Sequence, residues 1–113
     1  MTIVASTGQR VLKPVKLSTT SATVIATAAQ KSLLTIDSIW INCDTGGSTL
    51  DLYVTDGTNS YYLIKGKTIA ANTYEQVKDH HIPLYSGWSL RAVAGTANRI
   101  DITAVLFQSN QSS

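Results

Sequence analysis

Residues 33–55 read LLTIDSIWINCDTGGSTLDLYVT, and the phase of their apolar positions decides the fold. Leu34 and Ile36 keep a spacing of two, and so do Ile39 and Ile41, but Ile36 and Ile39 are three apart. Side chains on a β-strand alternate strictly between faces, so this slip predicts a bulge or bend near Asp37–Ser38. A bent strand can turn the corner of a barrel or serve both layers of a sandwich. The polar stretch Asp44-Thr45-Gly46-Gly47 follows as a turn, and Leu50, Leu52 and Val54 then alternate as a second strand.

Outward from this pair, further strands come at the spacing of an all-β domain. Asp56-Gly57 between two apolar runs is a hairpin signal, with Tyr61–Lys65 as the return strand. Gly66 marks a break. Thr73–Asp79 reads as a mostly polar strand carrying Tyr74 and Val77, followed by a segment with His80, His81 and Ile82–Tyr85. Trp88, Leu90, Ala92 and Ala94 share one face of the next strand, and Ile100, Ile102, Ala104 and Leu106 one face of the last. Upstream, Ala22–Thr27 is a short strand, and Ala28–Ser32 has room for one helical turn. Val11–Leu17 contains Pro14, which cannot donate to a ladder, so it is an edge strand or an extended arm. No segment of ten or more residues has helical periodicity. The expected fold is all-β: an antiparallel β-sandwich of about eight strands, jelly-roll-like, with an N-terminal arm over 1–17, the sandwich over 18–108 and a polar tail over 109–113.

With 113 residues the chain makes one domain with a thin core. Charged residues are 14% of the chain, below the usual ~25%, and Ser and Thr take their place on the surface. A net charge of +2 gives no argument for nucleic acid. The basic residues Arg10, Lys13 and Lys16 precede any acid and could meet an acidic neighbouring surface, or simply be solvated. A single cysteine, Cys43, excludes an internal disulfide and suits a small buried side chain. No apolar run approaches the about 20 residues of a helical membrane span, and no signal-peptide pattern is present.

Catalytic constellations are missing from the pattern. There is no G-x-S-x-G, no H-E-x-x-H and no C-x-x-C. His80 and His81 are adjacent, so on a strand they face opposite ways and cannot chelate one ion together. Asp44–Gly47 and Asp56–Asn59 lack the acid density of a calcium loop and are explained by turn chemistry. No metal or cofactor is expected. A small hydrolase acting through His80 is the weakest of the functional classes.

Strand alternation also exposes candidates for contact. When Leu50, Leu52, Ile100, Ile102 and Leu106 point inward, Tyr53, Val105 and Phe107 point outward, as does Trp40 between Ile39 and Ile41. Apolar groups collected on an outer sheet face mark an interface, unless they are scattered or covered by the N-terminal arm. Tyr61, Tyr62, Tyr85 and Trp88 could form a sugar platform or pack across strands, packing being the reading that suits Trp88.

Residues 22–107 resemble a recurrent phage virion β-sandwich. The resemblance is carried by Ser38-Ile39-Trp40-Ile41, Asp56-Gly57, Tyr61-Tyr62-Leu63, Ile69-Ala70-Ala71-Asn72, Gly87-Trp88-Ser89-Leu90-Arg91 and the closing RIDITAVLF. It is strongest to capsid decoration (cement) proteins, which implies a homotrimer on the outer capsid surface, assembled in the host cytoplasm, with the major capsid protein as partner. On that reading the arm residues Arg10, Lys13 and Lys16 meet the capsid, and Trp40, Tyr53, Val105 and Phe107 meet sister subunits. No enzymatic activity, direct nucleic-acid contact or membrane contact is expected. The alternative is a tail-fibre, baseplate or collar module that binds neighbouring virion proteins, or host glycans through Tyr61, Tyr62 and Tyr85.

Overall fold

The structure, a computed structural model, describes residues 8–110, with the side chains of Asp79, His80 and Asn110 left aside. Eight strands follow one another: β1 (Gly8–Lys16), β2 (Thr23–Thr27), β3 (Ser32–Cys43), β4 (Ser48–Thr55), β5 (Ser60–Ile69), β6 (Tyr74–Leu84), β7 (Ser89–Ala94) and β8 (Ile100–Asn110). They form two antiparallel four-stranded sheets, ordered β1-β8-β3-β6 and β2-β7-β4-β5. Apart from the β4–β5 hairpin, each successive connection from β1 to β8 carries the chain from one sheet to the other. The resulting order is that of a jelly roll, the all-β sandwich built from two Greek keys.

The phase slip in β3 is a bulge. On the β8 side Ile36 pairs with Leu106 and Ser38 with Val105, so Asp37 is the extra residue. On the β6 side Ile36 pairs with Ile82 and Ser38 with Lys78, so the opposite strand carries still more extra residues, at 79–81. His81 there has φ 46°, the left-handed region that L-residues rarely occupy. Tyr74–Leu84, read from sequence as part of a strand and a separate segment, is one kinked strand, and the two histidines lie inside it rather than in a loop.

The bulge keeps both halves of β3 facing the core. Ile36, Ile39 and Ile41 are all buried, together with Leu50, Leu52, Leu90, Ile100, Ile102 and Leu106. The inward sets expected for β4, β7 and β8 are buried as read, except that Trp88 is only partly so. Burying a Leu or Ile fully contributes roughly 1.5–3 kcal/mol each, so this aliphatic layer dominates the stability.

Two local expectations are corrected and one choice is decided. Of the two readings of Val11–Leu17, edge strand or extended arm, the edge strand holds: β1 is paired from Gly8↔Ser109 to Lys16↔Asp101; residues 1–7 and 111–113 lie outside the described region. Gly66 does not end a strand. It sits within β5 at φ 62°, where the register against β4 shifts, and its N–H donates to Asp51 Oδ1 at 2.6 Å. Residues 29–32 form a turn closed by Ser32 N–H to Ala29 C=O, not a helical turn, with Lys31 at φ 59°.

The Asp56-Gly57 turn is a four-residue connection. Asp56 Oδ1 accepts from the N–H groups of Thr58 and Asn59, both at 2.8 Å, and Gly57 supplies φ 100°. The backbone donors hold the Asp56 carboxyl below the usual carboxylate range.

Candidate functional site: an aromatic surface around an aliphatic core

The chain has two Trp, five Tyr and one Phe, and the buried core contains none of them. Aromatic side chains carry large contact areas and ordinarily supply core or interface energy. Here they are distributed over three surface regions.

The first region is the outer face of the β1-β8-β3-β6 sheet. Strand pairing sets its rows: Arg10–Phe107–Thr35–Pro83, then Leu12–Val105–Ser38–Lys78, then Pro14–Thr103–Trp40–Gln76, then Lys16–Asp101–Asn42–Tyr74. Leu12 and Tyr74 are each 62% exposed, and Trp40 and Phe107 close to 40%. The Trp40 and Tyr74 rings lie 6.0 Å apart. Gly8 makes room for Phe107: a Cβ there would fall within the Phe107 ring. Trp40, Val105 and Phe107 therefore share one face, as expected.

Sequence reading missed Leu12 and Tyr74 on this face. The signal was available for Tyr74, because residues three apart on a strand face opposite ways. Tyr74 and Val77 could not both point inward, and it is Val77 that packs on the core.

The basic residues of β1 are engaged within the chain. Arg10 forms an ion pair with Asp37, whose second oxygen lies 3.5 Å from His81 Nδ1. The bulge residue of β3 thus ties both edge strands of its sheet, β1 and β6, to the centre. Lys16 Nζ lies 2.9 Å from Asp101, which holds the ammonium pKa above its ordinary value through a hydrogen bond and its charge. Among the described residues Lys13 has no acidic partner. The face is apolar at its centre, with most of its charges paired internally.

The second region is the outer face of the β2-β7-β4-β5 sheet. Val24 and Tyr53 flank Arg91 in the strand register, and Tyr62 lies beyond Tyr53. The Tyr53 and Tyr62 rings are 5.1 Å apart, and Lys65 Nζ sits 4.1 Å from the Tyr62 centroid. Tyr53 is thus on the opposite side of the molecule from Trp40, Val105 and Phe107, and the four residues do not share one outer face.

The third region is one end of the sandwich, where the β2–β3, β4–β5 and β6–β7 connections meet. Tyr61 stacks on Trp88 at 5.8 Å and 17°, and Tyr85 meets Trp88 edge-on at 5.9 Å and 75°. Of the three tyrosines read as a sugar platform, Tyr61 and Tyr85 are brought together by Trp88, and Tyr62 is not.

The sheet edges are poor templates for strand addition. β1 carries Pro14 between lysines, β2 has five residues, β5 is bulged between Lys65 and Lys67, and β6 is kinked at 79–81. A cleft of 570 Å³ at the β5–β6 seam is lined by Tyr62, Leu63, Gln76, Val77 and Ile82. The seam is bridged by Lys67 and Glu75 at 3.9 Å. Burial pushes the Cys43 thiol up, away from the reactive thiolate. Among the described residues no group of three His, Cys, Asp or Glu side chains could hold a metal ion.

The strand order and the two-layer core define an eight-stranded jelly roll, and a solved structure is similar to it in fold. The chain is similar over its full length to the protein of the extra small virus virus-like particle from the giant freshwater prawn Macrobrachium rosenbergii. The TM-score is 0.51 at 7% identity, covering 86% of that chain. At this identity the likeness is one of fold. Two crystal structures of a pentameric capsid protein isolated from metagenomic phage sequences align with TM-scores of 0.39 and 0.40 at 15% identity. They match 89% of this chain, which spans 61% of theirs. No protein-family model matches the chain, and no curated protein matches it in sequence.

Proposed function

We propose that this chain is a non-enzymatic virion structural protein: a decoration subunit that forms a homo-oligomer, a trimer in the simplest arrangement, and binds the outer capsid shell. One observation carries the reading. The protein builds its core from aliphatic residues and places its aromatic residues on the surface, where Leu12, Trp40, Tyr74, Val105 and Phe107 share one sheet face. Such residues dominate the energy of protein contacts when they are covered. The likeness of fold to the protein of a virus-like particle supports a place in a virion.

The mechanism is passive. Subunits that bind only the assembled lattice stabilise it by mass action and bridge adjacent capsid proteins. Because Arg10 and Lys16 already have carboxylate partners in the same chain, the contact is led by the apolar face, and Lys13, on the opposite pleat of the edge strand β1, is a cation available to a capsid acid at that edge. Contacts of this kind depend weakly on salt.

The test combines sedimentation velocity of the purified protein with co-sedimentation on DNA-free capsids of the parent virus. The expected result is an oligomer that pellets with capsids. The double variant Trp40→Ala/Phe107→Ala should weaken assembly by about 30-fold or more, the loss of one hot-spot pair. A monomer that stays in the supernatant at all capsid concentrations would sink the proposal.

A further inference from the structure

Arg91 is half-buried in the β2-β7-β4-β5 sheet, between Val24 and Tyr53 in the strand register. Leu90 and Ala92 on either side of it are fully buried, so Arg91 projects from the outer face. Its Nε donates to Ser89 Oγ at 3.0 Å, and Ser89 is itself buried. That bond lays the guanidinium along β7 and fixes its orientation. The Nη groups carry the remaining N–H donors. Among the described residues no carboxylate forms an ion pair with them. Lys13, Lys31 and Lys78 also have no carboxylate partner there, but these three are exposed and water solvates them. A half-buried charge is costly to leave unpaired.

The acids of the same sheet are turned elsewhere. Asp51 lies across from Val93, on the side of Arg91 away from Ser89, and its Oδ1 accepts from Gly66 N–H at 2.6 Å. Asp56 follows Thr55, the residue opposite Ser89, and accepts from the N–H groups of Thr58 and Asn59. Lys65, the other cation of this face, sits over Tyr62. What remains is one oriented fork beside Tyr53, its cross-strand neighbour. A guanidinium fork matches the two oxygens of a carboxylate. A single guanidinium balances a single charge, which selects a carboxylate over a doubly charged phosphate. The acid comes from outside the chain's own kind. Every described carboxylate is already engaged: Asp37 with Arg10, Asp44 with Arg99, Glu75 with Lys67, Asp101 with Lys16, and Asp51 and Asp56 with backbone N–H groups. We propose that Arg91, held by Ser89 and walled by Tyr53, is a carboxylate-binding site that receives an Asp or Glu side chain of a different protein. The site stands on this geometry; only the naming of that protein as a capsid subunit rests on the virion reading.

The test is an NMR titration of the full chain with sodium propionate, the analogue of a Glu side chain, at constant ionic strength. The Arg91 Nε–Hε signal and the backbone amides of Tyr53 and Arg91 are followed, with propionamide and sodium chloride as controls. The expected result is a saturable shift with a Kd on the order of 10–100 mM, which neither control reproduces. Arg91→Lys keeps the charge and loses the fork, and should weaken binding about five-fold or more, read on the amides. Arg99→Gln, which removes a cation paired with Asp44, should leave it unchanged. No saturation overturns the site, as does an equal response to propionamide or full affinity in Arg91→Lys. The wild-type signal decides the first two points even where a variant does not fold. Co-sedimentation then identifies the source of the acid. Arg91→Gln should lower pelleting with capsids about five-fold or more and leave the oligomer intact. Loss of the oligomer instead would mean that a second copy supplies the acid, and unchanged pelleting would exclude the capsid subunit as its source. A wild-type protein that never pellets sinks the virion reading alone, since the propionate titration judges the site without capsids.

Discussion

The two outer faces of the sandwich are built from the same pleat and made for different ends. On the β1-β8-β3-β6 face, carboxylates take up the neighbouring cations, and the apolar rings are left bare: Arg10 goes to Asp37 and Lys16 to Asp101, while Trp40, Tyr74 and Phe107 stay exposed. On the β2-β7-β4-β5 face the cation goes to the ring instead, with Lys65 over Tyr62, and Tyr62 against Tyr53. The first arrangement leaves its rings clear of cations, and the second sets a cation over Tyr62, which is still 45% exposed. On the proposed assembly through the first face, what distinguishes the two faces is where their cations go, to carboxylates on the first and to a ring on the second.

The largest effect should appear on crossing from the inner to the outer side of β3. Ile39 is fully buried and Trp40, its neighbour, is 39% exposed. Ile39→Ala should lower stability by about 3 kcal/mol, the usual cost of a truncated core aliphatic with its residual cavity. Trp40→Ala should cost the dilute monomer about 1 kcal/mol or less. Urea denaturation at low protein concentration measures both. Equal losses would mean that Trp40 is a core residue and that the first face is not free for a partner.

A smaller effect should separate the faces through their backbones. Gly66 lies in β5 with φ 62° and open space around the position of a Cβ, so Gly66→Ala changes only the backbone cost. A left-handed L-residue costs about 1 kcal/mol. The urea midpoint should fall accordingly while the sedimentation coefficient of the assembly stays the same. A loss of assembly in this variant would show that the second face also bears on the contact.

Much of this was legible in the sequence because β-structure writes its faces into alternate residues. The slip between Ile36 and Ile39 announced the bulge at Asp37, and the inward sets of β4 and β8 were readable outright. What the period could not give was the pairing of strands far apart in the chain. That Asp37 would meet Arg10 from one edge and His81 from the other follows from the order β1-β8-β3-β6. The same ignorance placed Tyr53 with Trp40, since outwardness was clear and the sheet was not. Trp88 packs against the core, as its phase with Leu90 and Ala92 implies, but it precedes the first residue of β7 and is only partly buried.

The smallest expected effect concerns pH and sets the β4–β5 turn of the second sheet against the charges of the first face. Asp56 accepts N–H donors from Asn59 and Thr58, and its folded pKa lies below the ordinary carboxylate value of about 3.9. The unfolded chain then binds the proton more readily than the folded one, so this contribution is present above the unfolded pKa and is lost as pH falls through the folded pKa. Asn at this position still accepts the two hydrogen bonds through its carbonyl but does not titrate. Asp56→Asn should therefore reduce the fall in Tm between about pH 5 and pH 2.5, with no change in assembly. The ion pair of Lys16 and Asp101 is open to solvent on both sides and is screened, so Lys16→Ala should leave the acid slope as it is. If the slope instead follows Lys16 and ignores Asp56, the acid sensitivity belongs to the first face, and the second sheet's turn is held by its backbone alone.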